Sequence, residues 1–279
     1  MAGRVMDFGN IAEVLRARGF RDVENLPGST YRDNSTVMVT ITRGQFSVLP
    51  DGRRERRPVI PDKVVASWMA LQAPMNQKRT FKFVSGDEVA IGLNRAIQSV
   101  LADPELSRWP YILTLEDDNL PIPPAHIYLL ESIENAEQGG PFDAVSGIYF
   151  TKGEYQMPMA FGDPERSKVT RTLDFIPIDT RELVRSGRLT VIDGEDHGRY
   201  LAEVNGVACG CTLWRTELFR KLEPPWFLTL QEFSVWKGTS CSTQDLYFCK
   251  RAKLELGARF AVDFRAQVGH YNVEDEEVY

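Results

Sequence analysis

Three consecutive acids, Glu116, Asp117 and Asp118, stand directly after the uncharged run Tyr-Ile-Leu-Thr-Leu at 111–115 and before Asn119-Leu120-Pro121. A short β-branched and apolar run reads as a strand buried on both faces of a parallel sheet. Carboxylates at the end of such a strand are costly unless something cationic meets them. In open α/β sheets that edge is where ligands bind, and hard oxygen donors there suit Mg²⁺ or Mn²⁺ better than zinc. One reading is therefore a metal bridging to a diphosphate; the other is an acidic, solvated turn. On the acids alone, both stand.

The elements around the acids alternate. Residues 36–42, TVMVTIT, read as a first core strand. A polar loop with GRRERRP leads to a helix over 62–73, on the spacing of Val64, Val65, Trp68 and Leu71, and then to an alternating strand at 80–84. Gly86 and Asp87 open a helix carrying Val89, Leu93, Ile97, Val100 and Leu101, and Pro110 precedes the strand at 111–116. A helix over 123–137, begun by Pro123-Pro124, and a strand over 142–150 continue the order. Strand and helix in succession predict an α/β fold with a mostly parallel, Rossmann-like sheet and helices on both faces.

From 151 to 205 the pattern breaks, with Pro158, Gly162, Pro164, Pro177 and Gly187 punctuating short pieces, which predicts a loop-rich, more antiparallel half. Order returns with the small-residue turn GVACGC, a helix near 215–222, the loop PPWF, a helix over 242–257 and the short strand RFAVDF. Residues 1–34, with a short amphipathic stretch at Ile11 to Phe20, read as a lead-in. The expected organisation is a lead-in over 1–35 and one domain over 36–279.

Composition narrows the classes. The chain has 279 residues, 43% hydrophobic and 26% charged, which excludes a fibrous or tail-like protein. A net charge of −6 gives no global attraction to nucleic acid or to an anionic membrane, so any such contact needs a local basic patch. Arg53, Arg54, Arg56 and Arg57, and Lys78, Arg79 and Lys82, are the candidates. No run approaches the roughly 20 apolar residues of a membrane span, and MAGRVMDFGN lacks a secretory layout, so a cytoplasmic protein is expected. Cys209, Cys211, Cys241 and Cys249 contain no C-x-x-C pair and read as reduced, mostly buried thiols.

The order of these segments resembles glycosyltransferases of the GT-A fold, family 2-like and similar to phage and bacterial members. In that family a buried strand ends in a D-x-D-type motif, often followed by Pro, where the metal and the nucleotide sugar's diphosphate sit. Asp118 falls on the second, metal-ligating acid, Asp117 on the middle position and Glu116 on the first, where Asp is usual. Thr40-Ile41-Thr42-Arg43-Gly44 resembles the donor-nucleotide loop. Asp87 and Asn94-Arg95 resemble a segment near the nucleotide, with Leu93 where an Arg is usual; an ordinary amphipathic helix is the alternative. Gly210 and Trp226 resemble the small-residue turn and aromatic loop beside sugar and acceptor, although most Trp are core.

Thr243-Gln244-Asp245 resembles the x-E-D segment, which makes Asp245 the acceptor-side catalytic carboxylate, held ionised by a helix N-terminus. The alternative is an ordinary first-turn acid, favoured by the macrodipole by about 0.3–1 kcal/mol. His270, with His126 and His197 one of three histidines, resembles the C-terminal metal ligand, against a purely structural histidine. The resemblance implies a metal-dependent transferase using Mn²⁺ or Mg²⁺ held by Glu116, Asp118 and His270. It implies a nucleoside-diphosphate sugar donor and an acceptor that is a saccharide, a small molecule, a protein or a modified base in phage DNA, in the host cytoplasm if phage-encoded. The rivals are a metal-dependent nucleotidyl- or phosphoryl-transfer enzyme and a non-catalytic nucleotide-sugar binding protein.

Overall fold

Every residue of Thr36–Thr42 is buried, and successive side chains divide between two cores: Val37, Val39 and Ile41 in one, Met38 in the other. In this computed structural model the described residues are 32–42, 44–48, 51–57, 59–75, 77–190, 198–234, 238–273 and 275–279. The lead-in stretch at Ile11 to Phe20, Arg43 and His197 lie outside them. Residues Asn34–Tyr279 form one compact unit.

In chain order the strands are β1 (Thr36–Thr42), β2 (Gln45–Val48), β3 (Arg54–Arg57), β4 (Arg79–Ser85), β5 (Tyr111–Glu116), β6 (Asn119–Pro121), β7 (Ala144–Ile148), β8 (Ala160–Phe161), β9 (Leu201–Val204), β10 (Gly206–Val207), β11 (Cys211–Arg215), β12 (Leu230–Ser234), β13 (Gly238–Ser242), β14 (Phe260–Asn272) and β15 (Glu277–Val278). The helices are α1 (Asp62–Ala70), α2 (Val89–Ala102), α3 (Ala125–Ser132), α4 (Pro164–Thr170), α5 (Thr180–Arg185), α6 (Thr216–Lys221) and α7 (Gln244–Leu256).

The main sheet runs β15-β14-β7-β11-β5-β1-β4, with β6 and β9 added to β14. β1 is parallel to β4 and β5, and β7 is parallel to β14, whereas β11 lies antiparallel between β5 and β7. The sheet is thus mostly parallel, as expected, with one reversed central strand. That strand, CTLWR, was hidden behind the small-residue turn; its Thr, Leu and Trp side chains are wholly buried. Helices cover both faces. α2, α6 and α7 enclose Ile97, Trp214, Phe219, Phe248 and Phe260, while α1 and α3 enclose Trp68, Leu113, Leu129 and Leu213. Each such fully buried side chain contributes roughly 1.5–3 kcal/mol.

Several boundaries move for local reasons. α2 begins at Val89, two residues after the expected opening, because the Glu88 carboxylate caps the amides of Ala90 and Ile91 at 2.9 and 3.2 Å. α3 stops at Ser132 and not at 137, since the Asn135 side chain accepts from Glu137 and Gln138 and starts a separate 3₁₀ turn. The polar loop with GRRERRP contains the β2–β3 hairpin. The irregular half carries antiparallel pairs, β8 with β10 and β9 with β14, but also α4 and α5, begun by Asp163 with Pro164 and by Asp179.

The final strand departs most from expectation. RFAVDF is the start of thirteen-residue β14, so His270 lies within a strand and not after one. A register shift between Asp263 and Gln267 lets the strand pair with β7 and β9 first, and then with β6 and β15. Asp263, wholly buried at the bend, is held by Arg265 and by the Ser132 hydroxyl at 2.6 Å.

Candidate active site

The chain passes from β1 to β4 on one side and returns to β5 on the other, so the β1–β5 boundary is a topological switch point, where open α/β sheets hold ligands. Ile41 registers with Glu116 there, which puts Thr42 beside the acidic turn. The Thr42 hydroxyl donates to the Asp117 carboxylate and accepts from the Gly44 amide at 3.0 Å. A cavity opens at this edge, lined by Val39, Ile41 and Gly44, by Val89 and Leu93 of α2, by Thr114–Asp118 and by Cys209. Leu93 gives the cavity an apolar wall.

The three acids differ sharply in electrostatics. Burial pushes Glu116 well above the usual carboxylate range, and the charges of Asp118, Asp245 and Asp117 push it further. Burial also raises Asp117, against the hydrogen bond from Thr42. Burial presses Asp118 the same way, but His270 and Lys152 outweigh it and hold that carboxyl below its ordinary value. Lys152 Nζ lies 2.6 Å from Asp118 Oδ2, and His270 Nε2 lies 3.3 Å from the same oxygen.

The strand register delivers His270: β14 sets it opposite Asn119, and its Nδ1 lies 2.7 Å from the Phe150 carbonyl. Asp245 opens α7, and its carboxylate accepts from the Leu246 amide at 2.8 Å. It is buried, and burial raises its pKa despite that bond and the helix terminus. Its charge reaches Glu116, Tyr149 and Cys209, which places all four groups in one neighbourhood.

The donor set does not fit a resident divalent ion in this arrangement. Asp118 Oδ2 is engaged by an ammonium and an imidazole. Among the described residues no group of three or more His, Cys, Asp or Glu could hold a metal ion. Asp118 and His270 are brought together, and Lys152 shares the same Asp118 oxygen.

Other predicted contacts prove structural. Trp226 is only 5% exposed; its indole N–H is shared between the carbonyls of Phe219 and Leu222, and its ring meets Phe219 edge-on. No ring face is left for a sugar or base. Asn94 is consumed in clamping that loop: Nδ2 donates to Ala90 and Phe227 carbonyls, and Oδ1 accepts from the amides of Trp226 and Phe227. Gly210 serves close packing, since a Cβ there would lie 2.5 Å from Tyr149 Cζ and 2.6 Å from Asn119 Oδ1. Val39 and Ile41 line the cavity, which puts Thr40, wholly buried, on the opposite face. Asp87 pairs with Arg95. In the basic patches Arg53 pairs with Asp51 and Lys78 with Glu105. Cys209, Cys211 and Cys249 are free and buried, and burial pushes the last two up to about 12.

Sequence reasoning missed Lys152 and Tyr149. Tyr149 is buried and its hydroxyl accepts from the Gly210 amide at 2.9 Å, behind the acids.

No family model and no curated protein matches the chain. Among solved structures it is similar to A197 from STIV, at 15% identity and a TM-score of 0.49, over 88% of this chain and 92% of that one. That likeness is too distant to bear on function. Among the described residues no helix is long and apolar enough to cross a membrane.

Proposed function

We propose that the chain is a glycosyltransferase that moves a sugar from a nucleoside-diphosphate sugar to a hydroxyl acceptor. The observation that carries this reading is a cavity at the switch point between β1 and β5, lined by Glu116, Asp117 and Asp118, with Asp245 near enough for its charge to act on Glu116. The order of sequence segments that resembles GT-A enzymes supports it.

In the reaction proposed, the bond from the sugar's anomeric carbon to the diphosphate oxygen breaks, and its electron pair leaves with the phosphate. The acceptor oxygen forms the new bond, and its proton passes to Asp245. A carboxyl raised toward neutrality by burial is a better general base than a solvated one. Thr42 orients Asp117 at the cavity edge. Val89 and Leu93 give the cavity an apolar wall beside the acids. The acceptor is a saccharide, a small molecule, a protein or a modified DNA base.

A thermal-shift screen of nucleotide sugars, with and without Mn²⁺, tests the donor. Binding should stabilise the chain by RT ln(1 + [L]/Kd), about 2.7 kcal/mol at a hundredfold excess over Kd. If no nucleotide sugar or nucleoside diphosphate stabilises it under either condition, the reading fails.

A further inference from the structure

We infer that Lys152 supplies, from the chain itself, the positive charge that the diphosphate leaving group needs, and that it holds the place of a divalent ion on Asp118. This rests on the glycosyl-transfer reading above.

Carboxyl groups gather at this sheet edge, and a dianionic donor brought among them, which gains a further negative charge as it leaves, needs a cation. Lys152 is that cation: its Nζ binds Asp118 Oδ2 at 2.6 Å, and its charge acts on Glu116 and Asp117 as well. His270 Nε2 approaches the same Asp118 oxygen. A divalent ion bound through that oxygen would have to displace both.

The segment that carries Lys152 is fixed beside it. Phe150 bridges to Pro158, and the Thr151 amide donates to the Met157 carbonyl at 2.9 Å. The lysine side chain retains 29% exposure. An ammonium has three donors on a flexible stem; Asp118 engages one, which leaves others for phosphate oxygens. As the anomeric bond breaks and its electron pair settles on the diphosphate oxygen, Lys152 offsets the charge that develops there. Asp118 is then a positioning residue that aims the ammonium.

The test titrates the intact chain with Mn²⁺ by electron paramagnetic resonance, and with UDP, GDP and CDP by calorimetry in EDTA. The proteins are the wild type, Lys152→Met, Lys152→Gln and Lys152→Arg. The wild type should leave Mn²⁺ largely free and bind one of the nucleotides without metal. Lys152→Met and Lys152→Gln should bind Mn²⁺ about tenfold tighter or more, because removing an adjacent cation frees Asp118. They should lose about tenfold in nucleotide affinity in EDTA and recover it with Mn²⁺, while Lys152→Arg keeps wild-type behaviour on both counts. Micromolar Mn²⁺ binding by the wild type, or unchanged Mn²⁺ and nucleotide affinities in the Met and Gln variants, overturns the inference. Failure of every variant to bind any of the three nucleotides, with or without Mn²⁺, overturns the glycosyl-transfer reading; the Mn²⁺ contrast reports on the Lys152–Asp118 pair regardless.

Discussion

The backbone amide of Tyr271 donates to the carbonyl of Asp118 at 2.7 Å, so the last long strand and the acidic turn are tied to each other at the backbone. His270 owes its approach to Asp118 to that tie and to the register shift earlier in β14, not to a flexible tail. A backbone-anchored imidazole keeps one orientation, as a preorganised site requires.

The bend in β14 depends on Gly147. A Cβ there would stand 2.5 Å from the Ala266 carbonyl oxygen and 2.8 Å from a Val268 methyl. Gly147→Ala should therefore cost about 1–3 kcal/mol, the range for overpacking, read as a lower urea midpoint at unchanged m-value. A midpoint equal to wild type would show that the bend relaxes without strain.

Asn94 is expected to be a structural clamp. Asn94→Ala leaves the amides of Trp226 and Phe227 and the Phe227 carbonyl without their side-chain partner. Each unsatisfied buried group costs about 1–3 kcal/mol, so a loss of that order or more is expected in chemical denaturation. A variant as stable as wild type contradicts the clamp.

Much of this arrangement was legible in the sequence. The buried parallel strands announced themselves by β-branched runs without charge, and the acids at 116–118 by following one directly. β11 was not legible because Gly, Ala and Cys around it dilute the strand signal to that of a turn. The short helices α4 and α5 do carry a signal: Asp163 before Pro164, and Asp179 before Thr180, are cap patterns. Trp226 and Asn94 could not be assigned, since whether an aromatic loop faces a ligand or the core depends on packing between residues over 130 apart. Lys152 sits in the irregular half, where no periodicity says which side chain turns toward β5.

Histidine 126 should make stability fall in acid. It is buried on α3, where burial and the Arg79 charge lower its pKa from 6.5 to about 4. Below pH 6.5 the unfolded chain takes up the proton before the folded chain does, so stability is lost as the pH falls from about 6.5 toward 4. The shift corresponds to roughly 3 kcal/mol. In urea melts across that window, His126→Gln should show a flatter profile than wild type; identical slopes would assign the acid sensitivity elsewhere.

Asp245→Asn should separate catalysis from folding. The amide removes a carboxyl whose charge is disfavoured by burial, so the melting temperature should hold or rise. Transfer should nevertheless drop by about 10²–10⁴ if Asp245 takes the acceptor proton. Loss of folding together with activity would leave Asp245 with only a structural role.

The most direct measurement is donor-dependent release of nucleoside diphosphate, followed for a panel of nucleotide sugars on wild type, Asp118→Asn and Asp245→Asn. One donor should release its nucleoside diphosphate with wild type, and both variants should be slowed by about a hundredfold or more. Release of pyrophosphate or monophosphate, or no release from any donor, contradicts a glycosyltransferase.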